Sequence, residues 1–239
     1  MVYVGSKRKQ AKYILPLILS GRKPGQYYVE PFCGGCNTLC MVDGARIGND
    51  SNRYLIAMWR RLLEGWEPNH TTEVEYKMLR KGKDFYPDHI IGWAGFVHAY
   101  RSIFFGGYSS AKTAIQHANN IKSQLHALQG VEFQAGSYAD LVIPAKSIIY
   151  CDPPYAMTTE YHDDGFDHTA FWNWCRAMDK KGHRVFISEY SAPEDFIPIW
   201  SKTRVTGLGN KSNRGILQTE RLFIHKSKAK QYGDDSLGN

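Results

Sequence analysis

The sharpest chemistry-bearing run in the chain is Cys151-Asp152-Pro153-Pro154-Tyr155, directly after the apolar stretch Ile148-Ile149-Tyr150. In open α/β sheets, ligands settle just past the carboxyl ends of strands. Two prolines hold the backbone extended and bring no N–H of their own. The corner therefore offers carbonyl oxygens and one carboxylate, an acceptor rim. A planar group bearing an NH2 suits it: Asp152 and the Pro153 carbonyl accept its two hydrogens while Tyr155 stacks on its ring. A Pro-Pro turn with a purely structural Asp is the competing reading, and the strand-end position beside an aromatic weighs against it.

Two further runs end in the same kind of place. Tyr28-Val29-Glu30-Pro31-Phe32-Cys33-Gly34-Gly35-Cys36-Asn37 follows a short apolar run and precedes an expected helix through Leu39-Cys40-Met41-Val42. Glycine at a strand-to-helix turn lets backbone approach a ligand closely. The run is not the dinucleotide fingerprint, because the third glycine is missing. Gly48-Asn49-Asp50-Ser51-Asn52 places an acid at a second strand end, where it accepts from ribose hydroxyls or caps the next helix, and both roles can hold at once. Asp163, Asp164 and Asp167, with Thr158, Thr159, Tyr161 and Gly165, form either a lid beside the Asp152 corner or a solvated loop ending in a helix cap at Asp167. Cys33, Cys36 and Cys40 lack a second Cys-x-x-Cys pair and a suitably spaced His, so no metal is expected. The nine histidines are scattered and none pairs with an acid in a catalytic spacing.

The elements that must position these residues are short. Buried strands are expected at Tyr27–Val29, Ala45–Gly48, Val131–Ala135, Ser147–Cys151, Val185–Ser188 and Leu222–His225, each bounded by Gly, Pro or Asp. Helix-period stripes lie at 7–20 (Ala11, Ile14, Leu15, Ile18) and 53–64 (Leu55, Ile56, Trp59, Leu63). Asp167 caps a third stripe through Phe171, Trp174, Cys175 and Met178. Strands alternating with helices argue for an α/β layered sheet, mostly parallel. Residues 57–130 break the rhythm with helical patterns and no strand, and read as an inserted subdomain. Inside it, Arg101 to Lys112 mixes aromatics, glycines, hydroxyls and bases, a composition suited to a loop touching nucleic acid or to an ordinary surface turn.

Charge points to the partner. The net charge is +7. Lys7, Arg8, Lys9, Lys12, Arg22 and Lys23 stand without an acid in the first 23 residues. Lys202, Arg204, Lys211, Arg214, Arg221, Lys226, Lys228 and Lys230 face only Glu220 between 200 and 230. Basic ends around an acidic centre favour a polyanionic partner. Lys7, Arg101, Tyr108, Lys112, Lys211 and Arg214 are the candidate nucleic-acid contacts, the last two within the basic run Gly207–Gly215. The hydrophobic share of 43% and aromatic share of 13% exclude global disorder. No run approaches the ~18 apolar residues a membrane span needs. The basic N-terminal stretch lacks the apolar core of a secretory signal, and five cysteines suggest a reducing compartment.

With an amine-accepting DPPY corner and two nucleoside-binding signals in this order, the sequence resembles the Dam-like (D12 class, α-order) DNA adenine-N6 methyltransferase family. The resemblance runs from Tyr3 to about Leu222. Tyr3, Gly5 and Lys7 match the opening motif, and Phe32 and Gly34 match the Phe-x-Gly-x-Gly turn. Cys36 stands where that turn has its last glycine. Asp50 matches the ribose-binding acid, Ser137-Tyr138-Ala139-Asp140 a segment near the cofactor adenine, and Asp152 to Tyr155 the catalytic turn. Phe186-Ile187-Ser188 resembles the strand lining the base pocket. The resemblance implies a Rossmann-like class I methyltransferase sheet, split into a cofactor part (1–56), a mostly helical target-recognition insert (57–130), a second catalytic part (131–230) and a frayed tail (231–239). It implies S-adenosylmethionine as cofactor, double-stranded DNA as partner, and the cytoplasm of a bacterial or phage-infected cell. Cofactor contacts are implied at Tyr3, Lys7, Glu30, Phe32, Gly34, Asp50, Tyr138, Asp140 and Asp152, and catalysis at Asp152, Pro153, Pro154 and Tyr155. Enzymes methylating guanine N2 in RNA or cytosine N4 also carry DPPY, so motif order and the long insert carry the distinction. A non-enzymatic binding protein on an old fold is the remaining rival, opposed by the intact Asp152 and Tyr155.

Overall fold

The computed structural model describes residues 1–155, 165–206 and 216–231. The chain divides into two compact units, one of Met1–Leu15 with Tyr27–Val142, the other of Pro16–Gln26 with Ile143–Asn239. Helix α1 (Arg8–Leu19) contributes its residues up to Leu15 to the first unit, which continues with β1 (Tyr28–Glu30), β2 (Arg46–Asp50), α2 (Arg53–Leu63), α3 (Glu73–Lys81), α4 (Asp88–Val97), α5 (Ala111–Leu125) and β3 (Val131–Ala135). The second unit holds β4 (Ile148–Cys151), α6 (His168–Lys180), β5 (Arg184–Glu189), β6 (Phe196–Thr206) and β7 (Ile216–His225).

In the first unit the strands lie in the order β3-β2-β1, all parallel. In the second the order is β4-β5-β7-β6, with β4 and β5 parallel and β7 antiparallel to both its neighbours. These half-orders, with α2 to α5 between β2 and β3 and α6 between β4 and β5, define a Rossmann-like α/β fold. Parallel strands covered on both faces lack alternation. Accordingly Tyr28, Val29, Ile148, Ile149, Tyr150 and Cys151 are all inaccessible to solvent or nearly so. The helix starts are chemically marked. Asn52 accepts from the Leu55 N–H, Thr72 and Glu75 form a capping box, and Asp167 accepts from the Ala170 N–H at 2.8 Å.

Three departures from the sequence reading have physical causes. The expected helix through Leu39–Val42 is a single 3-10 turn, Leu39–Met41. The Arg46 guanidinium takes the Leu39 carbonyl at 3.3 Å, and Leu39 packs where a side chain on Gly48 would otherwise sit. Strand β6 was not foreseen because Pro198 interrupts its apolar run. It is an edge strand with a register shift between Pro198 and Trp200, the setting in which a strand tolerates proline. The expected strand at Leu222–His225 is the end of a longer one, paired antiparallel with β6 over Phe196–Thr206.

Residues 57–130 hold α3, α4 and α5 and no named strand, and residue 57 itself lies inside α2. Tyr76, Leu79, Ile91, Ala94, Ala99 and Phe105 form a cluster there, flanked by Tyr54 of α2. A Cβ on Gly92 would stand 2.1 Å from the Tyr54 carbonyl oxygen, so α4 approaches α2 at backbone distance.

Candidate active site

In the first unit the loops at the carboxyl ends of β1, β2 and β3 converge. Asn49, 2% exposed, donates through Nδ2 to the Pro31 and Gly136 carbonyls at 2.9 and 3.0 Å, stapling the loops after β1 and β3 to the end of β2. The Cys33 N–H returns a bond to the Asn49 carbonyl at 2.7 Å. Asp50 accepts from the Gly34 N–H at 3.1 Å and the Asn52 N–H at 2.9 Å. Burial lifts its carboxyl above the ordinary value, and the two N–H groups oppose that rise. Each of its oxygens keeps acceptor capacity, so ribose recognition and loop construction coexist in one side chain.

The glycine turn is clamped from three sides. Trp59 Nε1 donates to the Gly34 carbonyl at 3.2 Å, and Gln124 Nε2 reaches the Gly35 and Cys36 carbonyls at 3.3 Å. The third clamp is Tyr3, whose ring lies where Cβ atoms on Gly34 and Gly35 would fall. Cys36 adopts φ +53°, the left-handed region that glycine prefers, at the position where the resembled motif carries glycine. Burial raises the Cys33 and Cys36 thiols, which stay protonated. Among the described residues no group of three or more His, Cys, Asp or Glu could hold a metal ion.

Around this turn, Phe32 and Tyr138 are half-buried rings 5.3 Å apart and tilted by 41°. Glu30 is buried and accepts from the Tyr28 hydroxyl at 2.8 Å. Lys7 is 6% exposed, and its Nζ donates to the Gly5 carbonyl at 3.1 Å. Asp140 is exposed on the 3-10 turn Tyr138–Asp140. The donors and acceptors present, a half-buried carboxylate at a strand end with an aromatic pair in the loops after the neighbouring strands, fit a nucleoside.

Farther along the same unit, Arg101 and Lys112 are exposed, as the nucleic-acid reading requires. Arg101, Ser102 and Phe105 all take left-handed φ. Tyr108 instead spends its hydroxyl on the Thr71 carbonyl at 3.0 Å and packs against Tyr76. Lys211 and Arg214 lie outside the described residues, as do Thr158, Thr159, Tyr161, Asp163 and Asp164.

In the second unit Asp152 follows β4 without a gap, with Pro153 buried and Pro154 and Tyr155 half-buried. Tyr150, at the end of β4, shares a hydrogen bond with Ser188 of β5 at 2.8 Å, locking the two strand ends together. The Tyr155 hydroxyl donates to Glu220 Oε1 at 3.3 Å, and its ring meets Tyr190 edge-on at 4.6 Å and 84°. Burial, then the charges of Asp152, Glu220 and Glu189 with the Tyr150 hydroxyl, pushes the Tyr155 phenol well above its ordinary value. It therefore remains a neutral donor. The parts played by Asn49, Trp59, Gln124 and Glu220 were not anticipated from sequence; Asn49 stands beside Asp50 in a polar strand-end run, with no local mark of the loops that it joins.

The fold and the strand-end loops define a Rossmann-like methyltransferase. Comparison with known families is specific: the model of the D12 class N6 adenine-specific DNA methyltransferases matches residues 3–87 and 84–206, and the chain belongs to that family. It is an S-adenosylmethionine-dependent methyltransferase acting on the N6 amino group of adenine in DNA. Solved structures similar to it are more distant. A provisionally assigned RNA methyltransferase of Pyrococcus horikoshii is 11% identical, with 93% of this chain and 85% of that one covered and a TM-score of 0.42. A provisionally assigned methyltransferase of Escherichia coli, yhhF, is 8% identical, with 90% and 86% covered and a TM-score of 0.38. No helix among the described residues is long and apolar enough to cross a membrane.

Proposed function

We propose that the chain methylates adenine in duplex DNA after flipping the base out of the helix, with the Asp152–Tyr155 corner as the catalytic element. The observation that carries the assignment is the corner itself: an acceptor carboxylate directly after β4, next to a tyrosine ring held at its tip and packed against Tyr190. Asp50, Phe32 and Tyr138, with Tyr3, Lys7, Glu30, Gly34 and Asp140, hold the cofactor. When bound, S-adenosylmethionine supplies an electrophilic methyl group on a sulfonium.

The exocyclic nitrogen of adenine is a weak nucleophile because its lone pair is delocalised into the ring. Asp152 and the Pro153 carbonyl accept its two hydrogens and favour a pyramidal nitrogen with a directed lone pair. The carboxylate also stabilises the positive charge that develops on nitrogen, and the proton leaves afterwards, so no strong base is needed beforehand. Positioning and electrostatics supply most of the rate. Extruding the base costs on the order of a few kcal/mol, offset in part by stacking on Tyr155. Residues 57–130 serve as the target-recognition part, with Arg101 and Lys112 as backbone contacts, and the enzyme works in the cytoplasm.

The test uses S-adenosylmethionine labelled in its methyl group, with duplex DNA and structured RNA as alternative acceptors. Label in N6-methyladenine of DNA is expected, and label in RNA alone would overturn the proposal. Asp152→Ala is expected to abolish transfer while leaving duplex binding largely intact; normal turnover by that variant would remove Asp152 from its role.

A further inference from the structure

We propose that Glu220 is a positioning residue for methyl transfer, acting through Tyr155. The inference rests on Tyr155 being the ring that stacks on the target base. A tyrosine just past a Pro-Pro corner has two side-chain torsions to fix, and stacking tolerates little error in the ring plane. Two contacts fix them here. Glu220, on β7 and 8% exposed, accepts the hydroxyl at the ring's tip, and Tyr190 packs against the ring in a T-shaped contact at 4.6 Å.

One strand secures both contacts. The neighbour of Glu220, Arg221, donates its guanidinium to the Tyr190 backbone carbonyl. The Tyr190 N–H in turn donates to Glu189 Oε1 at 2.7 Å, and Glu189 stands opposite Arg221 in the β5–β7 register. Residues 220 and 221 of β7 thus hold the base-stacking ring and the ring that braces it. A carboxylate is a stronger acceptor for this purpose than a neutral group. The bond also directs the hydroxyl proton of Tyr155 to Glu220. A fold-only role is the competing assignment, since Glu220 also pairs with Lys202 in the β6–β7 register.

A double-mutant cycle separates the two. Initial rates of labelled methyl transfer to unmethylated plasmid DNA are measured for the wild type, Glu220→Ala, Glu220→Gln, Tyr155→Phe and Tyr155→Phe with Glu220→Ala, alongside thermal unfolding. Glu220→Ala is expected to lower kcat about tenfold, the value of a lost hydrogen bond to a charged group, with KM for S-adenosylmethionine within about twofold. Glu220→Gln keeps an acceptor oxygen at the same reach and is expected to restore kcat to within about threefold. In the Tyr155→Phe background, which has no hydroxyl to hold, Glu220→Ala should add less than about twofold. Full multiplication of the two losses, or Glu220→Gln as slow as Glu220→Ala, overturns the proposal. If Glu220→Ala melts below the assay temperature, the same cycle run with Glu220→Met, which fills the space without a carboxylate, decides it by the same criterion. Wild-type protein that leaves no label in N6-methyladenine would instead sink the reading of Tyr155 beneath it.

Discussion

Replacing Gly34 by alanine tests how the glycine turn of the first unit is built. Gly34 has φ +45°, and a Cβ there would meet the Tyr3 ring at 2.6 Å from Cε1 and 3.0 Å from Cδ1 and Cζ. Two costs follow, and they are separable. An L-residue in left-handed backbone costs ~1–2 kcal/mol. Forcing the Tyr3 ring, which packs on Phe96 at 6.0 Å, out of place costs ~1–3 kcal/mol as overpacking. The sum, ~2–5 kcal/mol, exceeds the ~1 kcal/mol typical of point mutations. Only the second cost depends on Tyr3. In a cycle with Tyr3→Ala, the coupling should be ~1–3 kcal/mol in the relieving direction, read from urea unfolding of the four proteins. The same turn reaches the proposed cofactor site, because the Gly34 N–H is one of the two that hold Asp50. Calorimetric titration with S-adenosylmethionine should therefore show Gly34→Ala about tenfold or more weaker. A Gly34→Ala protein that unfolds within ~0.5 kcal/mol of wild type, or strict additivity with Tyr3→Ala, refutes the packing argument.

His98 is 2% exposed and accepts the Thr71 N–H at 3.3 Å; burial, then His70 and His117, outweigh Glu75 and bring its pKa from 6.5 to about 4. The unfolded chain takes up a proton that the folded one refuses, so stability is complete above pH 6.5 and falls towards pH 4 by ~2–3 kcal/mol. In urea titrations across that window His98→Asn should lose this part of the slope, and an unchanged slope counts against the assignment. Cys36 is fully buried at φ +53°. Cys36→Gly gives up the thiol but recovers ~1–2 kcal/mol of backbone strain, so it should be at least as stable as Cys36→Ala, the reverse of the usual order. A glycine variant clearly less stable in the same denaturant assay contradicts this. Arg101→Ala with Lys112→Ala should reduce the slope of log K against log salt for duplex binding by about 1.8, two phosphate contacts' worth, and an unaltered slope removes both residues from the interface.

The Asp152–Tyr155 corner was legible because its chemistry is local. Pro153 and Pro154 restrict their own backbone, and the apolar run before them makes Asp152 a strand-end residue in any α/β arrangement. Asp167 as a helix cap is local in the same sense. The acid at Asp50 was visible for the same reason, at the end of Arg46–Asp50. What holds these residues was not legible. Asn49 joins the loops at Pro31 and Gly136, Gln124 reaches back to Cys36, and Glu220 reaches Tyr155. These partners are 18 to 88 residues apart in the chain, and no local pattern encodes such a pairing. Strand β6 was hidden by Pro198, which is unfavourable in a central strand and acceptable at an edge, and edge or centre is a property of the sheet. Tyr108 shows the same divide: composition singles it out, while its hydroxyl bond to the Thr71 carbonyl, 37 residues away, is set by the fold. By itself, then, the sequence determined the class of chemistry, because backbone restriction, strand-end placement and functional-group identity act within a few residues. Only the tertiary structure decided which acceptors are already engaged, which cations reach solvent and which ring is held still, because those depend on long-range packing.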